Sequence, residues 1–294
     1  MCLAGHYDRF GTLNMFIGKI YLLGVGLIGG SLVLDLRAKG AVGKVVGFDT
    51  DPESLRAALE MGILDEALPL EQGTLADCDL VVLAIPVVAM DSILEGGFPG
   101  RPLVTDVGSV KGSSVQAYRN AVARGGLYHF VPAHPIAGDE KSGAWAARRG
   151  LFEGAKVIIT PVGEPGPEEE SVRKMWEMIG GDVQFMDPSE HDTIFSWVSH
   201  MPHMAAYAII DSILCENPDL VGFSGGGFRD YTRIAASSPR MWAEIAVANR
   251  EKLLHATRGL RGSVDRIIAA IERGDSAELE GIFEDLAAIR RSDN

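Results

Sequence analysis

Over the first two-thirds of the chain, short unbroken apolar runs alternate with stretches whose apolar positions recur every three or four residues. A run over 19–23 precedes helical spacing through Leu27, Ile28, Leu32 and Leu36, and a second run over 44–48 precedes a helix over 52–61. A weak strand near 66–68 follows, then a run over 80–85 ending at Pro86, a helix through 93, a strand over 102–106 and a helix over 111–123. Unbroken apolar runs are typical of strands buried on both faces, and strands alternating with helices predict a doubly wound parallel sheet. Two further runs, 127–133 and 156–160, flank a loop and short helix that begin at His134, and a strand over 181–186 extends the same sheet.

At Asp187 the pattern changes. Asp187-Pro188-Ser189-Glu190 combines an N-cap, a proline at the first helical position and an acid at the third, and everything after it carries helical spacing. Although 161–170 is rich in proline, glycine and glutamate, the elements after it belong to the sheet, so the boundary is expected at Asp187. The reading is an α/β chain: a loose extension over 1–14, a sheet domain over 15–187 and an all-helical domain over 188–294.

The first strand ends in Gly24-Val-Gly26-Leu-Ile-Gly29. In a strand–turn–helix, the first glycine permits the tight turn and the second admits a pyrophosphate to the backbone, while the third lets helix pack on strand. The helix N-terminus then offers unpaired N–H groups to phosphate. Asp49, twenty residues after Gly29 at the end of the second strand, stands where a carboxylate accepts the ribose hydroxyls and repels a 2′-phosphate. These features predict a Rossmann-type domain for NAD, with a turn role beside Asp51-Pro52 as the alternative for Asp49. Ligands in such sheets bind beyond the carboxyl ends of the strands, so Gly24, Pro86, the loop after Asp106 and the loop at His134 are expected to share one crevice.

Composition narrows the field. A net charge of −13 without a dense Lys/Arg run argues against nucleic acid and anionic membrane. Cys2, Cys78 and Cys215 are scattered outside any metal or redox spacing, as in a reducing cytoplasm. Neither a membrane-length apolar stretch nor a signal-peptide start is present, and a cytoplasmic location is expected.

Two imidazoles and two guanidinium groups carry candidate chemistry. His134, at a strand end before Pro135, could take a proton from a substrate hydroxyl or simply satisfy backbone groups. Ser109 could bond that base or a nicotinamide, or cap a helix. Asp192, Ser196, Ser199 and His203 fall on one helical face, and Pro202 is expected to kink the helix at Val198. His200 and His203 lack a third ligand at matching spacing, so no metal is expected. Arg229 and Arg233, one turn apart, could capture carboxylates or pair with local acids.

Taken together, the glycine loop, Asp106-Val-Gly-Ser-Val-Lys111, His134-Pro-Ile-Ala-Gly138, His191-Asp192 with Ser199-His-Met-Pro-His203, and Gly226-Gly-Phe-Arg-Asp-Tyr-Thr-Arg233 resemble the prephenate/arogenate dehydrogenase family across nearly the whole chain. The resemblance implies NAD-dependent oxidative decarboxylation of prephenate, or of arogenate, in tyrosine biosynthesis. It implies His134 as the base on the substrate 4-hydroxyl, with Ser109 orienting it or the nicotinamide. Arg233 would grip a substrate carboxylate, His203 would position the substrate, and Arg229 would reach a neighbouring subunit's site, with Glu140 and Asp230 orienting the arginines. The cofactor set becomes Gly24, Gly26, Leu27, Ile28, Gly29, Asp49, Pro86 and Ser109, and the helical domain is expected to form a homodimer. Asp139 stands where several prephenate-using relatives carry an uncharged residue; an acid there would suit the ammonium of arogenate. Two other classes fit the fold: a 3-hydroxyacid dehydrogenase or imine reductase, whose catalytic lysine or aspartate on the second domain's first helix is replaced here by His191, Asp192 and His203, and an NAD-binding regulatory module without turnover.

Overall fold

A computed structural model of the chain describes residues 5–7, 13–71, 75, 77–139 and 141–292. Short apolar runs become strands, and the strands pair by the right-handed crossover logic of alternating β and α segments. After a short antiparallel ribbon of β1 (Gly5–Tyr7) and β2 (Leu13–Met15), the chain builds β3 (Ile17–Leu23), β4 (Val42–Phe48), β5 (Glu66–Ala67), β6 (Leu80–Leu83), β7 (Leu103–Asp106) and β8 (His129–Val131). These six form one parallel sheet in the order β5-β4-β3-β6-β7-β8. The order reverses between β3 and β6, which opens a crevice at their carboxyl ends.

Side-chain alternation divides two cores. Ile20 and Leu22 of β3 face Leu32, Val33 and Leu36 of the helix Leu27–Ala38, while Tyr21 and Leu23 face Met90 and Leu94 of the helix Val87–Gly96. Helices therefore cover both faces, and the central strands of the parallel sheet are largely buried.

The expected continuation of this sheet is corrected by Pro132. The run over 127–133 splits there, because a proline has no N–H for a ladder and a fixed φ. β8 ends at Val131, and β9 (Ala133–Pro135) turns away to pair antiparallel with β10 (Lys156–Ile159), which pairs parallel with β11 (Asp182–Phe185). The result is a separate three-stranded sheet, order β11-β10-β9, and His134 sits within a strand opposite Ile158.

The Asp187 carboxylate accepts the Ser189 and Glu190 N–H groups at 2.7 and 3.1 Å, starting the helix Pro188–Phe195. The next five residues, Ser196–His200, form a π-helical turn before the helix Met201–Glu216. Pro202 explains the widening: it cannot donate to the Val198 carbonyl, and its ring needs space against the preceding turn. Helices Gly226–Thr232, Pro239–Ala248, Arg250–Arg273 and Ser276–Ser292 complete the all-helical half. The two halves meet through Val87 and Val110 packed on Trp242 and Ile245.

Candidate active site

The glycine loop has the shape a pyrophosphate needs. Gly24 has φ +87°, and a Cβ on it would lie 2.2 Å from the Ala84 carbonyl oxygen. A Cβ on Gly29 would lie 2.6 Å from the Gly24 carbonyl and 2.8 Å from the Ala84 methyl, so close helix–strand packing requires that glycine too. Gly26 differs: nothing stands within 4 Å of its missing Cβ, leaving open space before the first turn of the helix. Leu27, the first helical residue, is buried and Ile28 packs against the core, so their side chains anchor the turn while its N–H groups face outward. The Asp49 carboxylate accepts the Val25 N–H and the Asp51 N–H, each at 2.9 Å, tying the second strand's end to the loop. Pro86 is exposed at the end of β6, immediately before the helix Val87–Gly96. These residues fit a dinucleotide: open backbone for the phosphates and a carboxylate beside them for a ribose.

Next to this cradle, a buried polar network sets the position of His134. Lys111, wholly buried, donates through Nζ to Asp106 Oδ2 at 2.5 Å and to the Ala133 carbonyl at 2.7 Å. Asp106 Oδ1 accepts the Ala133 N–H at 3.0 Å, so one ion pair grips both backbone groups of the residue before His134. Charges so far from water persist only when paired and hydrogen-bonded, as these are. From the helical half, Asp192 accepts the Lys111 and Gly112 N–H groups at 2.8 Å each, and Asn249 donates to the Asp192 carbonyl at 2.8 Å.

Asp192 also faces His191, with Oδ1 2.9 Å from Nδ1, and His191 Nε2 lies 2.9 Å from His134 Nδ1. A carboxylate only accepts, so His191 Nδ1 carries hydrogen, and its neutral Nε2 accepts from His134 Nδ1–H. His134 Nε2 is then left with a lone pair. Burial, reinforced by the neighbouring His191, Lys111 and His200, holds the His134 pKa well below its ordinary value; burial likewise lowers His191. A neutral, oriented imidazole results.

His134 lines a cleft of about 670 Å³ together with Ser109, Asp139, His203, Arg233 and Trp242. Ser109 does not cap the following helix, whose N-cap position is Lys111. His203 stacks on Trp242 at 3.5 Å between ring centres, and its Nδ1–H donates to the Ser199 carbonyl at 2.9 Å, leaving Nε2 for the cleft. Asp139 pairs with Arg148 at 3.0 Å. Arg229 stands outside the cleft lining and donates to the Ser224 carbonyl at 3.0 Å, and Glu140 lies outside the described residues. His200 is buried against Asn249 and meets the Trp242 ring edge-on at 6.1 Å between ring centres, outside the cleft lining.

One helical face does not hold Asp192, Ser196, Ser199 and His203 together. The π turn adds a residue to the repeat, and Asp192 turns to Lys111 and Gly112 while Ser196 Oγ bonds the Thr193 carbonyl. Spacing singled out Asp192 only as part of a helical stripe, and His191 and Lys111 only within motifs; their places beside His134 come from the fold. Their signal is a His-Asp pair at a helix start and a lysine inside an apolar context, neither of which specifies a partner.

A dinucleotide cradle opening beside a cleft that holds a neutral, oriented imidazole defines an NAD-dependent dehydrogenase. Residues 32–185 match the nucleotide-binding domain of prephenate dehydrogenase, and residues 187–285 match its dimerization domain. The chain belongs to the prephenate dehydrogenase family. It is 34% identical to the prephenate dehydrogenase of Bacillus subtilis over 282 residues, covering 92% of this chain and 75% of that protein. The crystal structure of prephenate dehydrogenase from A. aeolicus in complex with hydroxyphenyl propionate and NAD+ superposes with a TM-score of 0.86 at 36% identity, covering 94% and 98% of the two chains. Arogenate dehydrogenase from Synechocystis superposes with a TM-score of 0.72 at 26% identity, covering 94% and 100%.

Proposed function

We propose that this enzyme converts prephenate and NAD to 4-hydroxyphenylpyruvate, carbon dioxide and NADH, with His134 as general base. The observation that carries the reading is the Asp192–His191–His134 chain, which leaves His134 Nε2 bare and neutral in a cleft that also holds Arg233. His134 takes the proton of the substrate 4-hydroxyl as the hydride leaves ring carbon 4, and the ring carboxylate departs as carbon dioxide while the ring becomes aromatic. The proton then returns to the phenolic oxygen. NAD, when bound, supplies the hydride acceptor. His191 Nε2 and the Asp192 carboxylate stabilise the imidazolium that forms between those steps.

Ser109 orients His134 or the nicotinamide, Arg233 grips a substrate carboxylate and His203 positions the ring. The glycine loop, Leu27, Ile28, Asp49 and Pro86 hold the cofactor. The two working units run over 15–187 and 188–294 and assemble as a cytoplasmic homodimer through the helical half, on which Phe223, Ile271, Leu286 and Ile289 are exposed. In such a dimer Arg229, away from its own cleft, serves the partner's site. The second substrate reading, arogenate, rests on the Asp139 carboxylate at the cleft lining, which would suit an ammonium group.

Reduced-cofactor absorbance tests the reading directly. Purified enzyme with NAD is expected to turn over prephenate faster than arogenate, and to do so poorly with NADP because Asp49 repels its 2′-phosphate. Silence with both substrates, from protein that still binds NAD, would overturn it.

A further inference from the structure

Among the described residues lining the cleft, Asp139 is the one carboxylate, and a guanidinium outside the lining reaches it. Arg148 Nη1 donates to Asp139 Oδ2 at 3.0 Å. The backbone of Arg148 is fixed independently of its side chain: its N–H donates to the buried Ser31 Oγ at 3.0 Å, and the Gly150 N–H donates to Asp35 Oδ1 at 2.8 Å. Ser31 and Asp35 both belong to the helix Leu27–Ala38, whose first turn follows the glycine loop that would hold the dinucleotide. Beside them, Ala147 fills the space over Gly30, where a Cβ would come within 2.7 Å of its methyl. The cofactor helix thus holds the arginine's main chain in register with the substrate cleft.

Charge decides what this pairing does. Prephenate and arogenate each carry two carboxylates, but arogenate adds an ammonium where prephenate has its keto group. A bare Asp139 would repel the first and attract the second. A neutralised Asp139 removes both effects. We propose that Arg148 is a specificity-determining residue that cancels the Asp139 charge and so admits the dianionic substrate. The inference rests on the substrate class proposed above. Both partners are partly exposed, with side chains 48% and 35% accessible, so the expected effect is moderate.

The test compares kcat and KM for prephenate and arogenate in the wild type, Arg148→Gln, Arg148→Lys, Asp139→Asn and the double variant Asp139→Asn/Arg148→Gln, with the NAD dissociation constant measured for each. Arg148→Gln is expected to raise KM for prephenate and shift the kcat/KM ratio toward arogenate about three- to tenfold, at little cost to kcat or NAD binding. Arg148→Lys is expected to restore the ratio, and in the Asp139→Asn background Arg148→Gln is expected to leave it unmoved. An equal loss for both substrates, or the same shift without Asp139, overturns the role given to Arg148 while the wild-type activity stands. A wild type silent with both substrates overturns the substrate class and this inference together.

Discussion

The dinucleotide cradle and the substrate cleft lie side by side at the sheet's carboxyl edge and are built in opposite ways. The cradle is local and mostly backbone: three glycines within six residues, a helix start and one carboxylate from the next strand. The cleft is assembled from distant segments, with Ser109, His134, His203 and Arg233 drawn from four separate elements. Its central chain of hydrogen bonds joins His134 to a pair of residues 57 positions away. A site made of backbone needs small residues and open space, whereas a site made of side chains needs a scaffold that fixes rotamers and tautomers. Here that scaffold is the buried Lys111–Asp106 pair and the two amides held by Asp192.

Substitution at the centre of the cleft gives the largest expected effect. His134→Asn should lower kcat by about 10²- to 10⁴-fold and leave the NAD dissociation constant within about twofold, since the imidazole is the proposed base and lies outside the cradle. Weakened NAD binding of the same size would erase the separation of the two sites. Steady-state kinetics beside a binding titration decides it.

In the cradle, Gly24→Ala should destabilise the fold by about 2–4 kcal/mol, because a methyl must displace the Ala84 carbonyl and adopt a positive φ. Chemical denaturation reads this, and an unchanged midpoint would mean the β3–β6 edge is soft. The cleft, unlike the cradle, is backed by imidazoles kept neutral by burial: His134 at the lining and His191 behind it are shifted down, and the buried His200 is lowered to about 4. Below about pH 6.5 the unfolded chain takes up protons that the folded chain refuses. Stability should therefore be full above that pH and fall on acidification, by up to about 1.4 kcal/mol per pH unit for each such histidine. Denaturation midpoints that stay level from pH 7.5 to 5 would show the cluster to be hydrated.

The smallest change sharpens the comparison most. Gly26→Ala should cost about 1 kcal/mol or less in stability, because its Cβ meets open space, while raising the NAD dissociation constant about tenfold by crowding the pyrophosphate. Equal effects on folding and binding would remove the distinction between a glycine kept for the fold and one kept for the ligand.

By itself, the sequence determined the main strands and helices of the parallel sheet and the cradle, but not the ribbon of β1 and β2 within the expected loose extension, nor β9. Apolar runs, helical spacing and the glycine motif are governed by interactions within a few residues, so β3, the helix after it, Asp49 and the Asp187 cap are legible where they stand. The individual polar residues of the cleft were also visible as residues: His134, Ser109, His203 and Arg233 occupy one cavity. Tertiary structure alone decided the rest. Pro132 diverts the chain into a second sheet whose existence depends on a strand that begins only at Lys156, and Asp192 turns to the Lys111 and Gly112 N–H groups while Ser199 and His203 line the cleft. Which nitrogen of His134 is bare follows from His191 and Asp192, packed against it from the other half of the molecule. Hydrogen-bond direction and charge burial depend on partners brought together in space, and no local pattern encodes a distance between residues that the folded core alone makes neighbours.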